Sequence, residues 1–201
     1  MIKEVMVSEK ANKKWELFNK KRKLVLSKKP IITEDSRIFT IGSCFAQEIR
    51  ESFDRRGMHC LPEYEKVEFD PKNTIIDTLP RRLHLNFYNV FSIWQEIARA
   101  VNIWEQSEDD LWFLQNRTIQ DGKFMKGSAG CWQDPYRKTV LSENKEYVLS
   151  AIENVNNVFR EGIYNADVFI ITLGMTEIFV KRDNGLVSNQ RPMYMGGGRM
   201  D

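Results

Sequence analysis

The spacing of apolar residues changes abruptly at Gly42, and this change constrains the fold more than any other feature of the chain. Residues 37–42, RIFTIG, are rich in β-branched and aromatic side chains and predict a strand that ends at the glycine. Residues 45–57 instead repeat an apolar side chain every four positions, which predicts an amphipathic helix. The repeating residues are Phe45, Ile49 and Phe53. A strand that passes directly into a helix is the first unit of an α/β domain.

Further strands and helices are predicted along the chain. A short strand is expected at residues 58–61, and amphipathic helices are expected at residues 92–104 and 142–162. Ser142 is the predicted N-cap of the last helix, and the residues predicted to face inward are Val148, Ile152, Val155 and Phe159. Aromatic residues at helical spacing near the first of these helices are predicted to lie in the core: Phe91, Trp94 and Trp104. The more polar residues 105–140 predict an excursion with short strands.

The apolar run at residues 167–174, DVFIITLG, predicts a strand covered on both faces, as in a parallel sheet. Strands that alternate with helices predict an α/β fold with a doubly wound, mostly parallel sheet and flanking helices. The chain ends on a glycine-rich stretch soon after this strand. This ending predicts a domain that is incomplete at its C-terminus.

Composition excludes several classes of protein. Hydrophobic residues make up 42% of the chain and charged residues 29%, which is typical of a globular domain. No apolar stretch approaches the ~18 residues that span a membrane, and the first residues lack the apolar core of a secretory signal. Cys44, Cys60 and Cys131 are too scattered for a disulfide framework or a zinc site. We therefore expect a cytoplasmic protein without a metal or an organic cofactor.

Positive charge is concentrated at the start of the chain. Residues 1–30 hold ten Lys or Arg against three Glu, although the net charge of the whole chain is only +2. Such an arm either contacts nucleic acid or an anionic surface, or packs Trp15, Phe18 and Leu24 on the domain as a solvated leader. The leader is favoured, because no aromatic-interleaved nucleic-acid motif accompanies the charge. The chain is thus divided into a leader, 1–35, and a domain, 36–201, with no nucleic-acid partner.

The turn between the first strand and the first helix is the candidate site. In open α/β sheets, ligands bind at the carboxyl ends of strands, next to helix N-termini. Cys44 follows Gly42 and Ser43 at this position, where a helix N-terminus stabilises thiolates and backbone N–H groups can hold an oxyanion. The alternative is structural: Ser43 caps the helix, and Cys44 is a small buried hydrophobe beneath it.

Four short motifs together resemble one known family. GSCFA, at residues 42–46, is the motif after which the GSCFA domain family is named. The segments at residues 86–100, 132–137 and 172–179 read NFYNVFSIWQEIARA, WQDPYR and TLGMTEIF. They resemble, in the same order, that family's Asn-Ile-Tyr-Thr, Asp-Pro-Phe-Arg and Thr-Leu-Gly-Leu-Thr-Glu segments. The resemblance runs from about Trp15 to the end of the chain.

This resemblance implies a fold and a reaction class. The GSCFA family is similar to the SGNH/GDSL hydrolases, which have a flavodoxin-like, three-layer α/β/α fold and hydrolyse esters or transfer acyl groups. Laid over their Gly-Asp-Ser block, Cys44 takes the position of the nucleophile and Ser43 that of the aspartate. Gly42, Gly174 and Asn89 would then line the oxyanion region.

Several other residues are candidates for the implied site, and most of them also have a structural interpretation. Asn86 is a weaker candidate than Asn89 for the oxyanion-binding amide. Thr176 stands where the hydrolases' Gly-x-Asn-Asp block has asparagine, followed by Glu177, and this pair either binds substrate or caps a turn. Asp134 and Arg137 of WQDPYR either recognise substrate or brace the turn at Pro135: the residues leave both open.

The general base is the missing part of the resemblance. The hydrolases use a late histidine in an Asp-x-x-His block, and neither that block nor the family's Ser-Pro-Val segment occurs here. The two histidines present are His59, predicted to lie in the core, and His84, predicted to lie in a loop or to approach the site.

The resemblance therefore predicts a hydrolase or acyltransferase that acts through Cys44 on an acylated small molecule or carbohydrate. The alternatives are a non-catalytic glycan- or acyl-binding module and an inactive, truncated product. The oligomeric state is not predicted.

Overall fold

The computed structural model describes residues 31–67, 86–120, 123–137, 140–182 and 184–189. The chain divides into two compact units, Met1–Thr33 and Glu34–Asp201, and the elements given below belong to the second unit. His84 and the predicted leader contacts of Trp15, Phe18 and Leu24 lie outside the described residues.

The described residues contain three α-helices and eight strands. The helices are α1 (Cys44–Asp54), α2 (Val90–Ala100) and α3 (Lys145–Asn165). The strands are β1 (Ile38–Gly42), β2 (Cys60–Leu61), β3 (Trp112–Gln120), β4 (Lys123–Gln133), β5 (Leu141–Ser142), β6 (Val168–Thr172), β7 (Phe179–Val180) and β8 (Val187–Ser188). Two short 3₁₀ helices, Tyr64–Lys66 and Glu108–Asp110, complete the described elements.

Parallel pairing joins the three strands at the centre of the fold, in the order β2-β1-β6. β1 is the middle strand, and all five of its residues are buried. β1 and β6 run in register from Ile38 opposite Val168 to Gly42 opposite Thr172. The strands predicted at residues 37–42, 58–61 and 167–174 are thus present.

Antiparallel pairing forms the two other sheets. β3, β4 and β5 make one, in which β3 and β4 form a long hairpin where the sequence predicts only short strands. β7 and β8 make the other. The described residues thus form a mixed α/β fold with a small parallel sheet and antiparallel sheets, and not a clear doubly wound fold.

Helix α1 follows β1 as predicted, but it buries a different face. Phe45 is 63% exposed, and the buried residues of the helix are Ala46, Gln47 and Arg50. The apolar face that the spacing predicts is thus only partly covered: Ile49 and Phe53 are half-buried and Phe45 is exposed. The side chain of Arg50 instead donates to the Pro62 carbonyl and lies 4.8 Å from the centre of the Tyr64 ring.

Helix α3 contributes the largest share of the core. Val148, Ile152, Val155 and Phe159 are buried, as their spacing predicts. The N-cap is Asn144, whose Oδ1 accepts from the Tyr147 N–H at 3.0 Å. Ser142 ends β5 instead, so its prediction as the cap is wrong by two residues.

Helix α2 is amphipathic with a smaller buried face than predicted. Ile93 and Ala100 are buried, whereas Phe91 and Trp94 are 54% and 57% exposed. The prediction of these two aromatic residues as core is wrong. Trp104 is partly buried and does pack against the core.

The core lies on one face of β1, between the sheet and helix α3. The ring of Phe159 meets the rings of Phe39 and Phe87 edge to face, with centroids 5.9 and 6.2 Å apart. Leu61, Tyr64 and Val155 extend the same cluster. This packing holds the carboxyl end of β1 in place, which is the position of the candidate site.

Strand β6 is less covered than its sequence predicts. Phe169 and Ile171 are 47% and 48% exposed, although the corresponding residues of β1 are fully buried. Among the described residues no strand pairs with the outer edge of β6. The exposure of Phe169 and Ile171 shows that the prediction of a strand covered on both faces is wrong.

Candidate functional site

The candidate site lies where the parallel sheet changes its direction of growth. The chain places β2 on one side of β1 and β6 on the other, so the sheet extends in both directions from β1. Such a switch point opens a crevice at the carboxyl edge, and ligands of open α/β sheets bind in that crevice. Residues 42–44 and 172–174 follow β1 and β6 at this edge.

Gly42 allows the two strands to approach closely at this edge. Its φ is +143°, a conformation that L side chains rarely adopt. A Cβ at this position would also collide with the carbonyl and hydroxyl oxygens of Thr172. The Gly42 carbonyl accepts from the Phe87 N–H at 2.7 Å, which draws residues 86–89 to the end of β1. Glycine is therefore required here for both backbone conformation and space.

Ser43 connects β1, α1 and β6. Its Oγ accepts from the Phe45 N–H at 3.4 Å and caps α1. Its N–H donates to Thr172 Oγ1 at 3.1 Å, and its Oγ lies 3.4 Å from the same atom. The capping role that the sequence predicts for Ser43 is thus present, and Thr172 is an unpredicted partner.

Cys44 is the first residue of α1, and it is exposed. The alternative that treated it as a small buried hydrophobe is therefore wrong. The two other thiols differ from that of Cys44 in their exposure. Cys60 and Cys131 are buried, and burial raises the pKa of Cys60 to about 12 and that of Cys131 to about 11.

Tyr88 is the ionisable neighbour of Cys44. The pKa of Tyr88 is raised, mainly by burial and to a smaller extent by the charge of Cys44. A hydrogen bond with the Asn86 side chain opposes this and lowers the pKa. Because the ordinary pKa of tyrosine is ~10, the phenol is protonated at neutral pH and can donate a hydrogen bond. The sequence provides no indication of this role for Tyr88, because the candidates predicted in this segment are Asn86 and Asn89.

The two asparagines of this segment have different environments. Asn89 is the N-cap of α2: its Oδ1 accepts from the Ser92 N–H at 2.8 Å and its Nδ2 donates to the Ser188 carbonyl at 3.4 Å. Asn86 is 6% exposed and bridges to Gly42, and its Oδ1 has no partner among the described residues. The unused hydrogen-bonding capacity of Asn86 is therefore that of its acceptor oxygen, since its side chain also bonds to the Tyr88 phenol.

The segment after β6 brings Gly174 to the site. A Cβ on Gly174 would lie 2.9 Å from the Ser43 Cβ and 3.4 Å from the Tyr88 carbonyl. The next residue, Met175, donates its N–H to that carbonyl at 2.7 Å. Thr176 and Glu177 follow in an exposed loop, and the contacts described for this region do not connect them with Cys44.

Asn189 organises the site although the sequence gives no reason to select it. It is 2% exposed. Its Oδ1 accepts from the Tyr88 N–H at 2.9 Å, and its Nδ2 donates to the carbonyls of Asn86 and Tyr136 at 2.7 and 3.1 Å. A single asparagine in a polar stretch has no distinguishing pattern, and only its burial identifies it.

A balanced cluster of buried charges lies behind the site. Glu96 and Arg99 of α2 and Asp134 and Arg137 of WQDPYR are each at most 3% exposed. Arg137 donates to Asp134 at 3.0 Å and also pairs with Glu96. Burial alone would lower the pKa of Arg137, but the carboxylates of Glu96 and Asp134 raise it, so the guanidinium stays charged. This burial favours bracing over substrate recognition for Asp134 and Arg137.

His59 lies at the other end of the sheet. Its carbonyl accepts from the N–H of Ile38, the first residue of β1, whereas Cys44 follows the last one. The five residues of β1 separate these positions by ~13 Å. The His59 side chain is 53% exposed and lies 3.7 Å from Glu63, so it is not a core histidine.

The described part of the chain contains no group of three or more His, Cys, Asp or Glu side chains that could hold a metal ion. Within the same residues, none of the helices combines the length and the apolar character needed to cross a bilayer.

The fold and the site together define a mixed α/β protein with an exposed cysteine at the carboxyl edge of a parallel sheet. The family model described as the GSCFA family matches residues 37–194, which is most of the chain. The chain belongs to the GSCFA family. No curated protein and no solved structure matches it.

Proposed function

We propose that this protein is a thiol-dependent hydrolase or acyltransferase that acts on an ester or an acylated small molecule, with Cys44 as its nucleophile. The observation that carries the proposal is the exposure of the Cys44 thiol at the first residue of a helix, at the switch point of the sheet. Thiols are the nucleophiles that act with least assistance from a neighbouring base. The order β2-β1-β6 also supports, as part of this proposal, a doubly wound fold of the SGNH type.

In the proposed reaction, the Cys44 sulfur loses its proton to solvent and attacks the ester carbonyl carbon. The new C–S bond forms a tetrahedral oxyanion, and the C–O bond to the alcohol then breaks. We assign to the protonated Tyr88 phenol the transfer of a proton to the departing alcohol oxygen, after which Tyr88 regains a proton from solvent. Water or a second alcohol next attacks the thioester and restores the thiol.

Oxyanion stabilisation is assigned to backbone N–H groups of the turn and to one asparagine. The Cys44 N–H belongs to the first turn of α1, where helix donors lack intrahelical partners. Of the two asparagines, Asn86 is assigned this role through its Nδ2 donor, because the Asn89 amide is engaged by Ser92 and Ser188 at the start of α2. The Asn86 Oδ1 is an acceptor and takes no part in it. Gly42 and Gly174 leave room for the acyl group, and Ser43 orients the turn through Thr172. Thr176 and Glu177 are assigned to the rim that contacts substrate.

A non-catalytic acyl- or glycan-binding module is the second candidate. Among the described residues, Cys44 has a phenol rather than an imidazole as its ionisable neighbour, and His59 lies at the opposite edge of the sheet. For both candidate functions we propose a small-molecule ligand, a cytoplasmic location and no nucleic-acid partner.

Cysteine-specific labelling followed by turnover tests the proposal. Iodoacetamide is expected to modify Cys44 in the native protein near pH 7, whereas Cys60 and Cys131 react only after denaturation, because burial disfavours their thiolates. Peptide mass spectrometry reads each site separately. Modification of Cys60 or Cys131 ahead of Cys44 would remove the chemical basis of the proposal.

Turnover separates the two candidates. With short-chain p-nitrophenyl esters and acyl thioesters, an acyl adduct should appear on Cys44 in intact-protein mass spectra. Cys44→Ala should abolish it, whereas the control Cys131→Ala, which removes a buried thiol, should keep it. A labelled Cys44 that never carries an acyl group, in a protein that still binds the ester, would favour the binding module.

A further inference from the structure

A second polar cavity lies at the other end of helix α2. Its volume is about 260 Å³, a little below the ~300 Å³ at which ligand pockets usually begin. Arg99, Trp104, Gln106 and Asn156 are among the residues that line it. The eleven residues of α2 span roughly 16 Å, and Asn89 caps the opposite end of the helix beside the Cys44 turn. The cavity is therefore separate from the candidate active site.

Two polar residues that are almost completely buried form part of its wall. Arg99 is 3% exposed, and its Nε–H has no acceptor among the described residues. Its other nitrogens pair with Glu96 and Gln106. Asn156 is 7% exposed, and its Oδ1 accepts from Arg137 at 2.8 Å, which leaves the Nδ2 for another partner. The Arg99 Nε has almost no accessible surface, so the Asn156 Nδ2 is the donor of this pair that a ligand oxygen in the cavity can reach.

The charges around the cavity disfavour an anion. The guanidinium of Arg99 is already matched by the carboxylate of Glu96. Glu105 and Glu153 contribute two further carboxylates to the wall, of which Glu153 lies 3.8 Å from Arg160. A free carboxylate or phosphate would therefore meet more repulsion than attraction.

The remaining lining combines amides with an aromatic ring and aliphatic side chains. Asn102 and Gln106 add amides, and Trp104, Leu149 and Ile152 add apolar surface. Amide and carboxylate groups together with an aromatic ring match a ligand with several hydroxyl groups and one apolar face.

We propose that this cavity binds a neutral polyhydroxylated molecule of the size of one sugar ring. The hydroxyl oxygens accept from Asn156 Nδ2, and the hydroxyl hydrogens are donated to Glu105 and Glu153. The site does not depend on the chemistry of Cys44.

Titration with the methyl glycosides of glucose, galactose and mannose, and with myo-inositol, tests this site by NMR. At least one of them should shift the side-chain amide resonances of Asn102, Gln106 and Asn156 and the indole N–H of Trp104. Acetate and phosphate are the anionic comparison and should leave these resonances unchanged. The full 201-residue chain is used throughout.

Two carboxylate variants and one matched control assign the binding to the cavity. Glu105→Ala and Glu153→Ala should each weaken the best ligand about tenfold, because each removes a charged acceptor. Glu146→Ala removes an exposed glutamate from the first turn of the same helix as Glu153 and should leave the affinity unchanged.

Three results would overturn the proposal. They are an absence of shifts with every polyol, tighter binding of acetate or phosphate than of any polyol, and equal loss of affinity in Glu146→Ala and Glu153→Ala. A parallel titration of Cys44→Ala should give the same affinity as the native chain, which separates this site from the fate of the proposed enzyme.

Discussion

β1 and β6 are neighbouring strands with similar apolar sequences, IFTIG and VFIIT, and contrasting surroundings. Phe39 and Phe169 face each other in register with ring centroids 5.4 Å apart, yet Phe39 is fully buried and Phe169 is 47% exposed. Ile41 and Ile171 repeat the contrast at 0% and 48%. Apolar character thus predicts that a strand forms, whereas burial depends on the elements that pack on it.

The matched phenylalanines provide the strongest test of this contrast. Phe39→Ala should lower the free energy of unfolding by about 3–5 kcal/mol, because it leaves a cavity among Phe159 and the other rings of the core. Phe169→Ala should cost about 1 kcal/mol, since half of that ring already contacts solvent. Urea unfolding measures both. Equal losses would show that β6 is as well packed as β1.

Gly42 tests the point where the two strands come closest. Gly42→Ala should cost about 3 kcal/mol, because the backbone conformation is strained for alanine and the new Cβ meets Thr172. Gly185 is the control: its φ is +72°, but no atom lies within 4 Å of an added Cβ. Gly185→Ala should cost only ~1 kcal/mol of backbone strain. A similar loss in both variants would argue against close contact between β1 and Thr172.

The matched residues Ile41 and Ile171 repeat the test of the phenylalanines with a smaller change in side-chain volume. Ile41→Val removes one buried methylene and should cost about 1 kcal/mol. Ile171→Val removes the same group from a half-exposed position and should cost less than ~0.5 kcal/mol. Thermal and urea unfolding should rank the two variants identically, and a reversed order would contradict the contrast.

The smallest effect is expected at the amino ends of the same two strands. Arg37 Nη2 donates to Asp167 Oδ1 at 2.9 Å, and this hydrogen-bonded pair lowers the pKa of Asp167 to about 2. A lowered carboxyl pKa stabilises the fold above the unfolded value of ~3.9 and loses that contribution as pH falls through about 2. The stability difference between the native chain and Asp167→Asn should therefore shrink between about pH 4 and pH 2.

Salt provides the control for that measurement. Both side chains of the Arg37–Asp167 pair are more than 40% exposed, so added salt should reduce the difference at neutral pH. A difference that is independent of both pH and salt would mean that Asp167 acts through its backbone contacts alone.

Local sequence patterns predicted the elements better than their environments. Phe159 and Val155 were correctly assigned to the core, because helical spacing at four positions leaves one face to bury. Phe45 and Phe91 follow the same spacing and are exposed, since no described element covers their faces. The N-cap of α3 was predicted at Ser142 instead of Asn144, because serine and asparagine are equally suited to capping. Ser142 belongs to β5, so the helix can begin only after it.

The site was predictable where a turn brings consecutive residues together. Ser43, between Gly42 and Cys44, lies next to Gly174 because parallel strands end at a common edge. Tyr88 and Asn189 were missed, since their roles arise from contacts between segments far apart in the chain. A hydrogen bond over such a distance leaves no periodic trace in one sequence.

The buried charges of Glu96, Arg99, Asp134 and Arg137 also determine how the molecule opens. They tie α2 to the turn after β4, and Asn156 adds α3 through its bond to Arg137. Separating α2 from this turn would break the buried pair of Arg137 and Glu96, and separating α3 would remove the Asn156 oxygen from Arg137. The three segments should therefore exchange their amide hydrogens with solvent together, as one cooperative unit, although they are distant in sequence.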